Sequence, residues 1–163
     1  MKKIALIMLV GSLFMLNSCS KTGPQGPQGN ANVKGSDPFN VTVWQYSSAD
    51  VAWFASFTDP DVTAAVAARG EVEIFLQYSD GTWRNLPDIY GGTQFYSRFS
   101  QGGFDIYYAN VDGSVPTAPT GTFTFRSVVI SPSQKQAHPN TNWKNYYDAM
   151  AAISSTTATT SSN

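Results

Sequence analysis

The sequence holds one cysteine and one histidine in 163 residues. A single cysteine excludes an intramolecular disulfide. His138 is the only imidazole and Cys19 the only thiol, too few for the usual zinc ligand set. Charge is scarce as well: Asp, Glu, Lys and Arg together make up 13%. That excludes a coiled coil, which is built from Glu, Lys and Arg. The net charge of −1 leaves no basic footprint for nucleic acid. No glycine-rich phosphate loop and no Gly-x-Ser-x-Gly elbow occurs. The residues imply no cofactor, no metal and no enzyme. What is abundant is apolar surface: 42% hydrophobic and 13% aromatic residues. Enough can be buried to offset chain entropy, so the chain folds. Its length suits one domain of the usual ~100–200 residues.

The one long apolar run is N-terminal. Lys2 and Lys3 precede Ile4 to Leu16, which Gly11 and Ser12 interrupt. This is the layout of a secretory signal over 1–18, too short for a spanning helix. Leu16-Asn17-Ser18-Cys19 follows. It resembles the lipobox of bacterial lipoproteins, and the sole cysteine stands where that motif requires one. The resemblance implies cleavage before Cys19 and acylation of its sulfur and new amine. Two or more acyl chains anchor firmly, at about 0.8 kcal/mol per buried CH₂. Cys19 is therefore read as a membrane tether. Ser20, rather than Asp, follows it. By resemblance to enterobacterial sorting this implies the outer membrane, with the periplasmic or surface face left open.

Residues 19–36 read as a lipidated linker. Gly23-Pro24-Gln25, Gly26-Pro27-Gln28 and Gly29-Asn30-Ala31 are G-X-Y triplets. Gly at every third position is the collagen pattern, but so short a run does not hold three chains. It reads as an extended spacer reaching on the order of 50 Å at roughly 3 Å per residue.

Residues 37–153 carry strand patterns. Val72, Ile74, Leu76 and Tyr78 alternate with Glu71, Glu73, Phe75 and Gln77. That alternation predicts a half-buried strand. Asp80-Gly81 then signals a hairpin, and Trp83–Leu86 returns. Further runs are Phe39–Trp44, Val51–Phe57, Phe95–Phe99, Phe104–Tyr108 and Phe123–Val129. About seven short strands with turn signals predict an antiparallel β-sandwich. Val62–Arg69 predicts a short helix ended by Gly70. Trp143, Tyr146, Tyr147 and Met150 are spaced i, i+3, i+4, i+7, predicting a C-terminal helix capped by Asn140 or Thr141. Residues 154–163 are nearly all Ser and Thr, and read as a disordered tail.

Several of these features recur together in small lipoproteins of Bacteroidota, which the chain resembles. They are the lipobox, the G-X-Y spacer running into Gly29–Val33, and Gly70-Glu71-Val72-Glu73-Ile74. Trp83…Leu86-Pro87, Phe125–Ile130 and Asn142–Tyr146 complete the set. The resemblance implies a β-sandwich-like domain and no assigned activity.

Three groups are candidates for chemistry. Glu71 and Glu73 share a strand face about 7 Å apart, within the range of a carboxylate pair for glycoside hydrolysis. An outward pair on a strand reads first as a solvated face. Asp59-Pro60-Asp61 offers oxygens to Ca²⁺, or simply ends a strand. The aromatics are the larger surplus. With Phe39, Val41 and Val43 inward, Trp44 and Tyr46 face outward, and Tyr96 and Tyr107 do likewise on their strands. These four are the candidate contacts for a glycan or an envelope protein; the competing reading is that the C-terminal helix covers them or that the turn registers differ from this assignment. The expectation is a membrane-anchored binding module without catalysis. The alternatives are an architectural subunit using the G-X-Y segment and a carboxylate-dependent hydrolase.

Overall fold

The computed structural model describes residues 33–159. The signal segment, Cys19 and the G-X-Y triplets lie outside the described residues, as do residues 160–163. Among the described residues, ten strands form two antiparallel sheets that face each other and do not close into a barrel.

The first sheet is ordered β1 (Val33–Gly35), β10 (Phe123–Ile130), β5 (Glu71–Gln77) and β6 (Trp83–Asn85). β2 (Phe39–Val41) lies on the same side of β10 as β1. The two form one edge interrupted at Ser36-Asp37-Pro38, because Pro38 cannot donate to a ladder. Ser36 bridges the gap: its N–H donates to Ser127 O at 2.9 Å, and its hydroxyl accepts from Ser127 N–H at 3.0 Å. Val33–Gly35, read above as linker, is thus part of the sheet. The second sheet is ordered β3 (Gln45–Ser47), β4 (Ala52–Thr58), β9 (Gly103–Asn110), β8 (Thr93–Ser100) and β7 (Asp88–Tyr90).

The turn residues act as their chemistry dictates. Gly81 and Gly102 adopt positive φ in the β5–β6 and β8–β9 hairpins. Helix α1 (Ala64–Arg69) connects β4 to β5 and is capped by Thr63, whose hydroxyl accepts from Val66 N–H. At Gly70 a Cβ would lie 2.6 Å from Ile130 O, so no larger residue fits.

Between the sheets lies the main core, with Ile74, Leu76, Phe95, Ile106, Phe125 and Val129 at its centre. Each such side chain contributes about 1.5–3 kcal/mol on burial. A second core covers the other face of the first sheet. There Phe75, Val128 and Ile130 pack under Trp143 and Ala149 of the C-terminal segment. Helix α2 (Pro132–Ala137) and helix α3 (Tyr146–Thr159) form that cover. β5 is therefore buried on both faces, not half-buried as its alternation predicted.

Helix α3 starts later and ends later than the sequence pattern predicted. Asn145, rather than Asn140 or Thr141, caps it, accepting from Tyr147 N–H and Asp148 N–H. It continues to Thr159, through six of the ten residues read as a disordered tail. Tyr146 and Met150 pack on the sheet, while Tyr147 is 65% exposed. No helix among the described residues is long and apolar enough to cross a membrane.

Candidate functional site

The four aromatics singled out in the sequence do not form one surface. The predicted strand Phe39–Trp44 ends at Val41, and the chain crosses to the other sheet before Gln45. Alternation stops at that crossing, so Trp44 turns inward. It packs on Phe95 at 5.9 Å and edge-on to Phe123 at 6.1 Å. Trp44 belongs to the core, which corrects the outward assignment. Its buried Nε1–H has no hydrogen-bond partner. Tyr46 is partly exposed on edge strand β3 and contacts Trp53, whose indole N–H donates to Pro116 O.

Tyr96 and Tyr107 do meet on the outer face of the second sheet. They are register partners, with ring centroids 4.9 Å apart and planes 6° from parallel. Phe54 extends the row beyond Tyr107 at 5.9 Å. That spacing equals the strand separation of about 4.8 Å, so the Tyr rings stand on edge, face against face. The Arg98 guanidinium lies 4.8 Å from the Tyr107 centroid and is held there by Asp50 at 2.6 Å. Hydrogen bonds from Arg98 and Ser47 keep the Asp50 carboxyl below its ordinary pKa. Tyr107 is only 7% exposed as a result. Such a row offers ring edges to solvent, not a flat platform.

The carboxylate candidates are also placed differently from their sequence reading. Glu73 is 5% exposed, because the α2–α3 segment covers its strand face. Burial, then a hydrogen bond to Glu71, pushes its pKa up to about 7, against an opposing hydrogen bond from Asn85. Asn85 Nδ2 donates to Glu73 Oε2 at 2.6 Å. Burial pushes the neighbouring Glu71 upward, but hydrogen bonds with Glu73 and Lys135 outweigh it and its pKa is lowered. Lys135 Nζ lies 2.9 Å from Glu71. A substrate cannot reach the Glu73 carboxyl without lifting the cover. Asp61 is paired with Lys34 at 2.6 Å, and Asp59 accepts from the Asp61 N–H in a turn. His138 ends α2 and meets Trp143 edge-on. Among the described residues no group of three or more His, Cys, Asp or Glu side chains could hold a metal ion.

An accessible concave site lies elsewhere, at one end of the sandwich. A cleft of about 320 Å³ opens where β5 leaves the first sheet and β7 and β8 begin in the second. Phe95, Tyr108 and Phe123 line it, with Phe95 4.9 Å from each of the other two rings. Tyr78 and Tyr90 add rings, and Gln77, Asp88 and Thr93 add polar groups. Tyr90 is 74% exposed. Thr93 Oγ1 donates to Tyr90 O at 2.9 Å and steadies the turn that carries it. The Tyr78 hydroxyl donates to Asp88 Oδ2. Arg84 sits over the Tyr78 ring, its guanidinium 4.0 Å from the centroid. Burial raises the Tyr78 phenol pKa, and Asp88 raises it further.

Sequence spacing could not reveal this site. Tyr78 follows β5 of one sheet, and Asp88 opens β7 of the other. The chain brings them together only by leaving the first sheet at Asn85 and passing through Leu86-Pro87. The one usable signal was a concentration of Tyr and Phe at strand ends.

The chain arrives at the opposite end. Val33 pairs with Ile130, the last residue of β10, while the cleft touches Phe123, the first. Eight residues of strand separate the two ends, roughly 24 Å at ~3.4 Å per residue. A second cleft, of about 280 Å³, lies at the arrival end, where Lys34 and Asp61 close on each other. No family model matches the chain, and no curated protein or solved structure matches it.

Proposed function

We propose that the chain is a lipid-tethered lipoprotein of the cell envelope, anchored in the outer membrane through Cys19, and that it binds a small ligand without catalysing a reaction. One observation carries the binding half of this reading. The apolar, ring-lined cleft lies at the end of the sandwich opposite Val33, the first described residue. A ligand site is expected to be concave and largely apolar with a few convergent polar groups, and this cleft has that composition. A spacer reaching on the order of 50 Å would hold the cleft away from the lipid. The tether half rests on the lipobox resemblance and on the placement of the only cysteine.

Each half has its own test. Metabolic labelling with an alkyne fatty acid should mark the full chain and not Cys19→Ala. Labelling of both, or of neither, would remove the tether. For the cleft, small neutral fragments should be titrated into the purified full chain while amide resonances are followed. Shifts clustered at Gln77–Ser79 and Asp88–Thr93 are expected. Shifts confined to other surfaces would remove the cleft as the site.

A further inference from the structure

We infer that the cleft takes a neutral pyranose, one or two sugar rings presented by a glycan. This rests on the cleft being the binding site and names its ligand class. Three features carry it: the rings, the polar groups and the volume.

Among the rings, Tyr90 is exposed at the mouth, and Phe95, Tyr108 and Phe123 lie inside. Unlike the Tyr96–Tyr107 pair, Tyr90 has no aromatic partner stacked on it among the described residues. An open aromatic face suits a ligand with a flat C–H surface, which gains dispersion contact there. A pyranose has such a face, with hydroxyls around its rim.

The polar groups set what that rim must offer. Asp88 is a carboxylate, and an ionised carboxylate only accepts. One of its oxygens accepts from Tyr78, which leaves acceptor capacity on the other. Gln77 adds an amide that both donates and accepts. Vicinal hydroxyls supply donors and acceptors together, as this pairing needs.

Asp88 is the one charged side chain among the described residues lining the cleft. Asp88 is bonded to the Tyr78 hydroxyl, and Arg84 lies over the same ring. Arg84 lies outside the cleft's lining, so no basic side chain among the described residues is there to hold an anion. The Asp88 oxygen left free by Tyr78 accepts from a hydroxyl of the ligand, and the ammonium probe below tests a cation in its place. The volume of about 320 Å³ stands at the low end of the range for ligand pockets, about 300–1,000 Å³, and admits one or two rings.

The test uses the full chain in a polyoxyethylene detergent, which carries no sugar. Amide resonances are followed during titration with methyl α-glucopyranoside, methyl α-mannopyranoside, methyl β-galactopyranoside and N-acetylglucosamine. Tetramethylammonium, benzoate and p-cresol are titrated in parallel. At least one glycoside is expected to move Gln77–Ser79 and Asp88–Thr93 saturably. Tyr90→Ala should weaken it about tenfold, the loss of one ring contact. Asp88→Asn, or Gln77→Ala if Asp88→Asn disturbs the fold, should weaken it similarly. If only the ammonium, benzoate or cresol moves these amides, the cleft stands as a site and the sugar class is overturned. If a glycoside binds equally well to Tyr90→Ala, the proposed pose is overturned. If none of the seven probes moves these amides, the sugar and the cleft both fall.

Discussion

Tyr78, just past the end of β5 in the first sheet, and Asp88, in β7 of the second, are joined by one hydrogen bond, from the phenol to the carboxylate. The bond pins the end of the sandwich where the cleft opens. It holds β7, an edge strand of three residues, against the first sheet. β7 is otherwise held by its pairing with β8 and by Leu86 just before it, which is buried in the main core and whose N–H donates to Ile74 O at 2.8 Å.

Tyr78→Phe keeps the ring and removes the bond. The expected cost is about 1 kcal/mol, a typical net value for a partly exposed hydrogen bond. Thermal melting should fall by on the order of 4 °C for a domain of this size. An unchanged melting curve would show that the bond does not hold β7.

The C-terminal cover should be structural. Phe75 is fully buried beneath it and meets Tyr146 edge-on at 5.4 Å. Phe75→Ala should cost about 3–5 kcal/mol in a denaturant titration, the usual range for a buried Phe. Tyr147→Ala, on the exposed side of the same helix, should stay within about 0.5 kcal/mol. Equal effects would mean that α3 does not seat as described.

Glu73 makes stability fall as pH rises. Its folded pKa is about 7, above its ordinary value of 4.5. Between these two values the folded state holds a proton that the unfolded state has released. Folded stability is therefore greatest, as far as Glu73 is concerned, below pH 4.5, and declines to a plateau above pH 7. The groups acting on it are Glu71 on its own strand, itself paired with Lys135, Asn85 on β6, and Lys144 from the cover. Glu73→Gln should remove a decline on the order of 2 kcal/mol between pH 5 and pH 8. A wild-type melting temperature as flat over that window as the variant's would contradict the burial argument.

Tyr96 and Tyr107 should matter for folding and not for binding. Their faces contact each other and Arg98. Tyr107→Ala should cost about 2–4 kcal/mol, given its burial. Arg98→Ala removes an exposed ion pair and should cost less than about 1 kcal/mol. A large loss in both, or in neither, would require a different packing of this row.

The sequence and the structure agree where neighbours in the chain decide the outcome. Asp80-Gly81 makes its hairpin, Thr63 caps α1, and the alternation from Val72 to Leu76 points those residues into the main core. They part where a distant segment decides. Glu73 alternates like a solvated residue, and only the return of the C-terminal segment buries it. Trp44 continues an apparent period-two run, but the chain has already left the sheet that set the period. The cleft is a meeting of Tyr78 from one sheet with Asp88 and Tyr90 from the other. No local pattern encodes that meeting, because it depends on which sheet each strand joins.

The most direct measurement is a paired titration of one bound glycoside into Tyr90→Ala and Tyr96→Ala, with the wild-type chain as reference. Tyr90 lines the cleft, and Tyr96 stands in the row on the outer face. Binding through the cleft predicts about tenfold weaker affinity for Tyr90→Ala and wild-type affinity for Tyr96→Ala. Loss in Tyr96→Ala with Tyr90→Ala unaffected would contradict it and move the site to the sheet face.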